Sequence, residues 1–222
     1  MLILFHYITI LIYQLLRHRK RIKCLHAGKE RYNHRICNNL YMVNTRPEVQ
    51  KYGKLFEILE DERWKNKIEK LVDLGSGNLS IIYTLLEVAN LNQILLVDTD
   101  EKLLRESISS LDPHVYLPHL SKRYKHLDIS LLAGNAADSD YRLLRTDAIT
   151  AVNLLESLYP DALDALPYNI FTFIEPKIVI FITSVSTSFS EICEQNRKSG
   201  WSRQQFEDCF LRLCSSKKPN FE

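Results

Sequence analysis

Short apolar runs alternate with amphipathic stretches along most of the chain. The apolar runs have the length of buried strands and lie at residues 71–74, 94–97, 129–133, 148–152 and 178–182. Apolar side chains at helical spacing predict helices at residues 49–59, 79–89, 101–110 and 203–213. Alternation of this kind, with short links, is typical of an α/β fold with a mostly parallel, doubly wound sheet and helices on both faces.

The first 23 residues follow a different pattern. Residues 2–16 are nearly all apolar, and they are followed at 17–23 by a cluster of Lys and Arg. The apolar run is shorter than the roughly 17–25 residues that a membrane-spanning helix needs. Three interpretations stay open: a short membrane anchor with its basic cluster on the cytosolic side, an apolar helix docked on the domain, or a wrongly chosen start.

Composition narrows the class of protein. The chain has 222 residues, of which 45% are hydrophobic and 25% charged, so a wholly disordered, collagen-like or coiled-coil chain is excluded. The net charge of +2 does not by itself indicate a nucleic-acid partner. The five cysteines are odd in number and form no C-x-x-C pair, which indicates free thiols in a reducing compartment and predicts a cytoplasmic protein.

Two of the six glycines lie directly after the first of these strands, at Gly75 and Gly77. Glycine permits a positive φ and lets a ligand approach the backbone closely. Asp98 ends the next strand, where a carboxylate can accept hydrogen bonds from both ribose hydroxyls of an adenosine. Ser80 stands where the G-x-G-x-x-G fingerprint has its third glycine, which favours S-adenosylmethionine over the pyrophosphate cofactors NAD and FAD. The alternative is an ordinary strand-to-helix turn with an acid on the surface.

Several segments resemble a known family. Residues 71–77, 97–98 and 134–135 are similar to the cofactor motifs of class I methyltransferases. Residues 148–158 resemble the segment D-x-I-T-x-x-E-x-I-E-H-L of the small-RNA 2′-O-methyltransferases, which methylate the 3′-terminal ribose of plant microRNAs and animal piRNAs. Further similar segments lie at residues 46–52, 140–143, 182–189 and 201–206.

The resemblance implies a class I, Rossmann-like methyltransferase domain with helices on both faces of its sheet. This domain would span residues 40–214, lack the terminal antiparallel hairpin and be followed by a tail at 215–222. By the same resemblance, the residues that bind S-adenosylmethionine are Asp73, Gly75, Gly77, Asp98 and Asn135.

The family also holds a Mg²⁺ or Mn²⁺ ion, using two glutamates and a histidine in E-x-x-E-H and a second histidine before the late tryptophan. Such an ion can lower the pKa of the terminal 2′-hydroxyl and orient it. Here the three E-x-x-E-H ligand positions read Asn153, Glu156 and Ser157, and no histidine precedes Trp201 at the fourth position. The resemblance therefore implies Glu156 as the catalytic residue, and Glu156 with Asn153 as a degenerate metal site.

The sequence and this resemblance leave three functions open. The first is a methyltransferase that uses S-adenosylmethionine to methylate the 2′-hydroxyl of small-RNA 3′ ends. The second is a catalytically impaired paralogue that binds RNA, the cofactor or a protein partner, because most metal ligands are absent. The third is a methyltransferase for another substrate that needs no metal.

Two basic segments are candidates for RNA contact. The first 50 residues are rich in Lys and Arg and include Tyr32 and Tyr41, and a second basic group lies at residues 121–126. Basic side chains bind phosphates and aromatic rings stack on bases, although a solvated arm has the same composition. The resemblance implies the 3′ end of a small RNA as partner, together with an Argonaute or Piwi protein.

Overall fold

The computed structural model describes residues 7–14, 47–64, 66–110, 123 and 126–185. Several predicted features lie outside the described residues. They are the five cysteines, the basic cluster at 17–23, Tyr32 and Tyr41, most of the basic group at 121–126, the similar segments at 186–189 and 201–206, the helix at 203–213 and the tail at 215–222.

Six strands form in the described part of the chain. They are β1 (Tyr7–Gln14), β2 (Lys70–Leu74), β3 (Gln93–Asp98), β4 (Asp128–Ala133), β5 (Ala148–Val152) and β6 (Ile178–Val185). All five predicted strands are confirmed within a few residues. β6 is buried throughout residues 178–183, as its continuous apolar sequence predicts for a strand covered on both faces.

Four α-helices accompany them in the same described residues. They are α1 (Pro47–Leu59), α2 (Ile82–Glu87), α3 (Glu101–Ser110) and α4 (Pro160–Tyr168), and α4 continues as a π-helix over Asn169–Ile174. The predicted helix at 79–89 begins later than expected because Leu79 adopts a left-handed backbone with φ of 59°. Sequence analysis did not predict α4, which begins at a proline, a residue well suited to the first helical turn.

The strands form one sheet in the order β1-β6-β5-β2-β3-β4. The five strands from β6 to β4 are parallel, which confirms the predicted α/β architecture. One face of the sheet packs against α1, α2 and α3 through residues such as Leu55, Leu85 and Leu104. The other face packs against α4 and the π-helix through Leu166 and Phe171. Helices therefore cover both faces, as in the class I methyltransferase fold.

β1 differs from what the sequence predicts. Its residues pair antiparallel with β6, from Tyr7 opposite Val185 to Gln14 opposite Ile178. Of the three interpretations that the sequence leaves open, the apolar helix docked on the domain does not agree with the strand at Tyr7–Gln14. A short apolar run has no periodicity that separates helix from strand, and the Ile-, Thr- and Tyr-rich sequence of β1 suits a strand once a sheet edge is available.

Among the helices that the structure describes, none is long and apolar enough to span a bilayer.

Candidate active site

The predicted site residues lie at the carboxyl ends of β2 and β3 or shortly after the ends of β2, β4 and β5. β2 pairs with β3 on one side and with β5 on the other, so the chain changes direction across the sheet at β2. In open parallel sheets, the crevice at such a switch point is where ligands bind. The structure therefore brings the predicted residues together at this edge of the sheet, with Asp73 in its interior.

The glycine turn after β2 is held against the end of β3. The backbone N–H groups of Gly75 and Ser76 both donate to the carbonyl oxygen of Val97, at 2.8 and 3.0 Å. Gly75 has φ of +78° and Gly77 has φ of +50°, so both residues use the left-handed region that glycine enters without cost. The sharp turn that the sequence predicts at this point is confirmed.

Asp98 lies directly beside this turn. Its Oδ2 accepts a hydrogen bond of 2.8 Å from the backbone N–H of Gly77, and its Oδ1 accepts one of 3.0 Å from that of Asp100. An ionised carboxylate has about four lone-pair sites, so both oxygens keep capacity for a further donor. The acid and the glycine turn, 21 residues apart in sequence, form one local structure.

The end of β4 joins the same structure. The backbone N–H of Gly134 donates to the carbonyl oxygen of Asp98 at 2.9 Å, which places Asn135 next to the Asp98 end of the crevice. The side-chain oxygen of Asn135 accepts a hydrogen bond of 3.0 Å from the N–H of Ala137. This bond orients the amide, which has both donor and acceptor groups.

Asp73 lies beneath the turn instead of lining the crevice. Its side chain is 2% exposed, and its Oδ1 accepts a hydrogen bond of 2.6 Å from the hydroxyl of Thr150, its neighbour across β2 and β5. Burial raises the pKa of Asp73 to about 7, although the hydroxyl groups of Thr150 and Ser76 partly oppose the shift. Asp73 therefore supports the turn from the interior.

The segment that follows β5 forms the opposite wall. Asn153 leaves the strand with φ of 56°, and its N–H donates to the carbonyl of Ile182 at 2.7 Å. Leu155–Ser157 then form a 3₁₀ turn. A Cβ placed on Gly75 would lie 2.9 Å from Cδ1 of Leu154, so the glycine turn and this segment are in direct contact. The predicted cofactor and acceptor halves of the site are therefore adjacent.

Glu156 is half-buried in this wall and accepts a hydrogen bond of 2.9 Å from the hydroxyl of Thr183. Burial raises the pKa of its carboxyl group, and three influences oppose this shift: its own backbone N–H, the Thr183 hydroxyl and the charge of Lys51. Ser157, at the position of the family's histidine, donates to the carbonyl of Leu154 at 2.7 Å.

A lysine side chain contacts the degenerate metal site formed by Asn153 and Glu156. The ammonium of Lys51, on α1, donates to Oδ1 of Asn153 at 2.5 Å, and its side chain is 2% exposed. In the described residues, no group of three His, Cys, Asp or Glu side chains comes together as a metal site would require. At this site the described residues offer one carboxylate and one amide whose oxygen already accepts from an ammonium, which is a poor ligand set for Mg²⁺ or Mn²⁺ beside a fixed positive charge.

Sequence reasoning missed three residues that shape this site: Lys51, Thr150 and Thr183. Thr150 lies in the predicted strand at 148–152, whereas Thr183 lies one residue beyond the predicted strand at 178–182 and within the longer strand that the structure shows. Lys51 lies on a predicted helix, and no local pattern could show that its ammonium meets Asn153, which is 102 residues away in sequence.

Known proteins resemble this chain in sequence. A small RNA 2′-O-methyltransferase of Drosophila melanogaster is 34% identical over 183 residues, which are 78% of this chain and 46% of that protein. One of Bombyx mori is 43% identical over 155 residues, which are 68% of this chain and 37% of that protein. The chain thus spans less than half the length of these curated relatives. No protein-family model matches the chain.

Solved structures resemble it in fold. The methyltransferase domain of bacterial CtHen1 superposes with a TM-score of 0.59 at 25% identity, covering 76% of this chain and 84% of that domain. A structure of the small RNA methyltransferase HEN1 superposes with a TM-score of 0.61 at 20% identity, covering 76% of this chain and 22% of that one. The matched region therefore has the fold of a methyltransferase domain.

Proposed function

Since this chain belongs to the small-RNA 2′-O-methyltransferase family, we propose that it transfers a methyl group from S-adenosylmethionine to the 2′-hydroxyl of the 3′-terminal nucleotide of small RNAs. The observation that carries the proposal is the contact between Gly77 and Asp98 at the switch point of the sheet. This contact supports a site for an adenosine beside the segment that contains Glu156. The alternative is a paralogue that binds the cofactor or RNA without turnover.

The cofactor half of the site suits a nucleoside that has no phosphates. Asp98 would accept hydrogen bonds from the ribose hydroxyls through the lone pairs that Gly77 and Asp100 leave available. Gly75 and Gly77 would lie along the methionine end, where the absence of a side chain allows close approach. The amide of Asn135 would hydrogen-bond the adenine, and Asp73 would hold the turn in shape from below.

The acceptor half contains the carboxylate of Glu156. In the proposed reaction, the 2′-oxygen forms a bond to the methyl carbon while the carbon–sulfur bond of the sulfonium breaks. The proton of the 2′-hydroxyl passes to Glu156, and S-adenosylhomocysteine leaves. Thr183 orients the carboxylate, and its raised pKa makes it a better base than an exposed glutamate.

The RNA would approach over the exposed side of this segment. Tyr159 follows Glu156 by three residues and is 81% exposed, so its ring is available to stack on a terminal base. By analogy with the family, an Argonaute or Piwi protein in the cytoplasm would present the 3′ end. The basic segments of the first 50 residues would add phosphate contacts, which predicts that binding weakens with salt.

Asp98→Ala tests the cofactor site. We expect this variant to bind S-adenosylhomocysteine about 10- to 100-fold more weakly, since hydrogen bonds to a charged group contribute about 1.5–3 kcal/mol. Calorimetric titration of the full chain measures the affinity. Asp128→Ala is the control, because Asp128 is an exposed acid at the opposite end of the sheet, where β4 begins. Equal affinities for the two variants would contradict the site.

A transfer assay tests the reaction itself. Labelled S-adenosylmethionine should methylate a small RNA with free 2′- and 3′-hydroxyls, and an otherwise identical RNA with a 2′-deoxy terminal nucleotide should remain unlabelled. Glu156→Gln should lower the rate without a matching loss of cofactor affinity. Cofactor binding with no transfer to the first RNA would assign the chain to the non-catalytic alternative.

A further inference from the structure

A buried ammonium links α1 to the acceptor segment. Lys51 is 2% exposed, and its Nζ lies 2.5 Å from Oδ1 of Asn153. A buried charge is costly unless polar partners compensate it. A lysine that remains in this position must therefore be stabilised by the oxygen atoms around it.

Those oxygen atoms are the ones that the family uses for its metal. Asn153 and Glu156 occupy two of the positions of E-x-x-E-H, and the charge of Lys51 acts on Glu156 as well as on the amide. The carboxylate is held in place by Thr183 on the neighbouring strand β6. The formal charges of Lys51 and Glu156 cancel, so Lys51, Asn153 and Glu156 together carry no net negative charge to attract a divalent ion.

We propose that the Lys51 ammonium takes the place of the divalent cation, so that this acceptor site is closed to Mg²⁺ and Mn²⁺. The amide of Asn153 suits this arrangement, because a neutral oxygen can accept from an ammonium but attracts a hard divalent ion less strongly than the carboxylate that the family has at this position. A metal ion at this position would also meet the positive charge of Lys51. The positive charge at this site thus belongs to a lysine side chain of the protein and not to a bound metal ion.

The geometry gives Lys51 a positioning role. It anchors Asn153 at the exit of β5, and the next residue, Leu154, packs against Gly75 of the cofactor turn. The bond therefore ties the acceptor segment to α1 next to the point where that segment meets the cofactor turn. If the proposed function holds, methyl transfer by this chain will proceed equally well with EDTA and with Mn²⁺, and this consequence rests on the proposed function.

Binding of Mn²⁺ alone tests the proposal without any need for turnover. Titration of the full chain, followed by electron paramagnetic resonance of free Mn²⁺, should show no saturable site in the wild type. Lys51→Met combined with Asn153→Glu removes the ammonium and adds a carboxylate, and should create one site at least tenfold tighter than any wild-type binding. The matched control is Lys54→Met combined with Asn153→Glu, which removes a lysine from the same helix, where Lys54 pairs with Glu57. It should create no such site.

Two outcomes would overturn the proposal. One is stoichiometric Mn²⁺ binding by the wild type that Glu156→Gln abolishes. The other is no gain of binding in the Lys51→Met, Asn153→Glu variant, provided that circular dichroism shows it folded. If that variant fails to fold, Lys51→Met alone decides: Mn²⁺ binding above the wild-type level supports the proposal, and unchanged binding overturns it. Wild-type chain that binds neither Mn²⁺ nor S-adenosylhomocysteine would refute the proposed function while leaving the ammonium site intact.

Discussion

Among single residues, Asp73 has a pKa that differs clearly from that of an exposed aspartate. It is an acid in the interior of the sheet, compensated by the Thr150 hydroxyl, with a pKa raised to about 7. An unfolded aspartate has a pKa of about 3.9, so the folded chain retains this proton over a pH range in which the unfolded chain loses it. The contribution of Asp73 to stability must therefore decline as the pH rises between these two values.

Asp73→Asn should remove this pH dependence. In the wild type, the contribution of Asp73 to the free energy of unfolding should fall by about 1.4 kcal/mol per pH unit from roughly pH 4 to pH 7, and level off above it. Urea unfolding of both proteins across this range measures the difference. Asp140→Asn is a control of opposite sign, because its hydrogen bonds with Arg142 lower the pKa of Asp140, and that stabilisation is lost as the pH falls. Parallel curves for wild type and Asp73→Asn would contradict an acid buried in this way.

Among the elements, the turn between β2 and α2 combines two constraints. Gly75 has φ of +78° and lies against Leu154, whereas Gly77 has φ of +50° and nothing within 4 Å of an added Cβ. The turn is thus tight on the side of the acceptor segment and open on the other side.

Alanine at these two positions should have unequal effects. Gly75→Ala adds a clash to an unfavourable φ and should lower the free energy of unfolding by about 2–3 kcal/mol, against about 1 kcal/mol for Gly77→Ala. Urea unfolding without cofactor measures both. The double variant Gly75→Ala, Leu154→Ala separates the two effects, because it removes the clash with Leu154 and keeps the unfavourable φ at residue 75. If the two single variants lost equal stability, the contact with Leu154 would not constrain the turn.

In the whole molecule, β1 covers the edge that β6 would otherwise expose. An uncovered strand edge offers unpaired backbone groups to other chains. The only antiparallel pair in the described sheet is therefore at one border, beside the most apolar of its parallel strands.

Deletion of residues 1–14 should uncover this edge. We expect the free energy of unfolding to fall by about 2 kcal/mol, since several net hydrogen bonds of about 1 kcal/mol each are lost and the freed chain recovers some entropy. We also expect self-association, which sedimentation velocity would detect. Deletion of residues 1–6 alone is the control, because the pairing begins at Tyr7. A monomer of unchanged stability after the longer deletion would show that β1 does not protect the edge.

The sequence by itself determined the parallel sheet, the glycine turn and the identity of its partner Asp98. These features follow from local periodicity, from the special conformations of glycine and from the order of strands in a doubly wound sheet. Tertiary structure alone decided that residues 7–14 pair as a strand, that Asp73 faces Thr150 and that Lys51 meets Asn153. These three contacts depend on which residues the fold brings together from distant positions in the sequence. A lysine that meets a residue 102 positions away leaves no periodic pattern in the sequence.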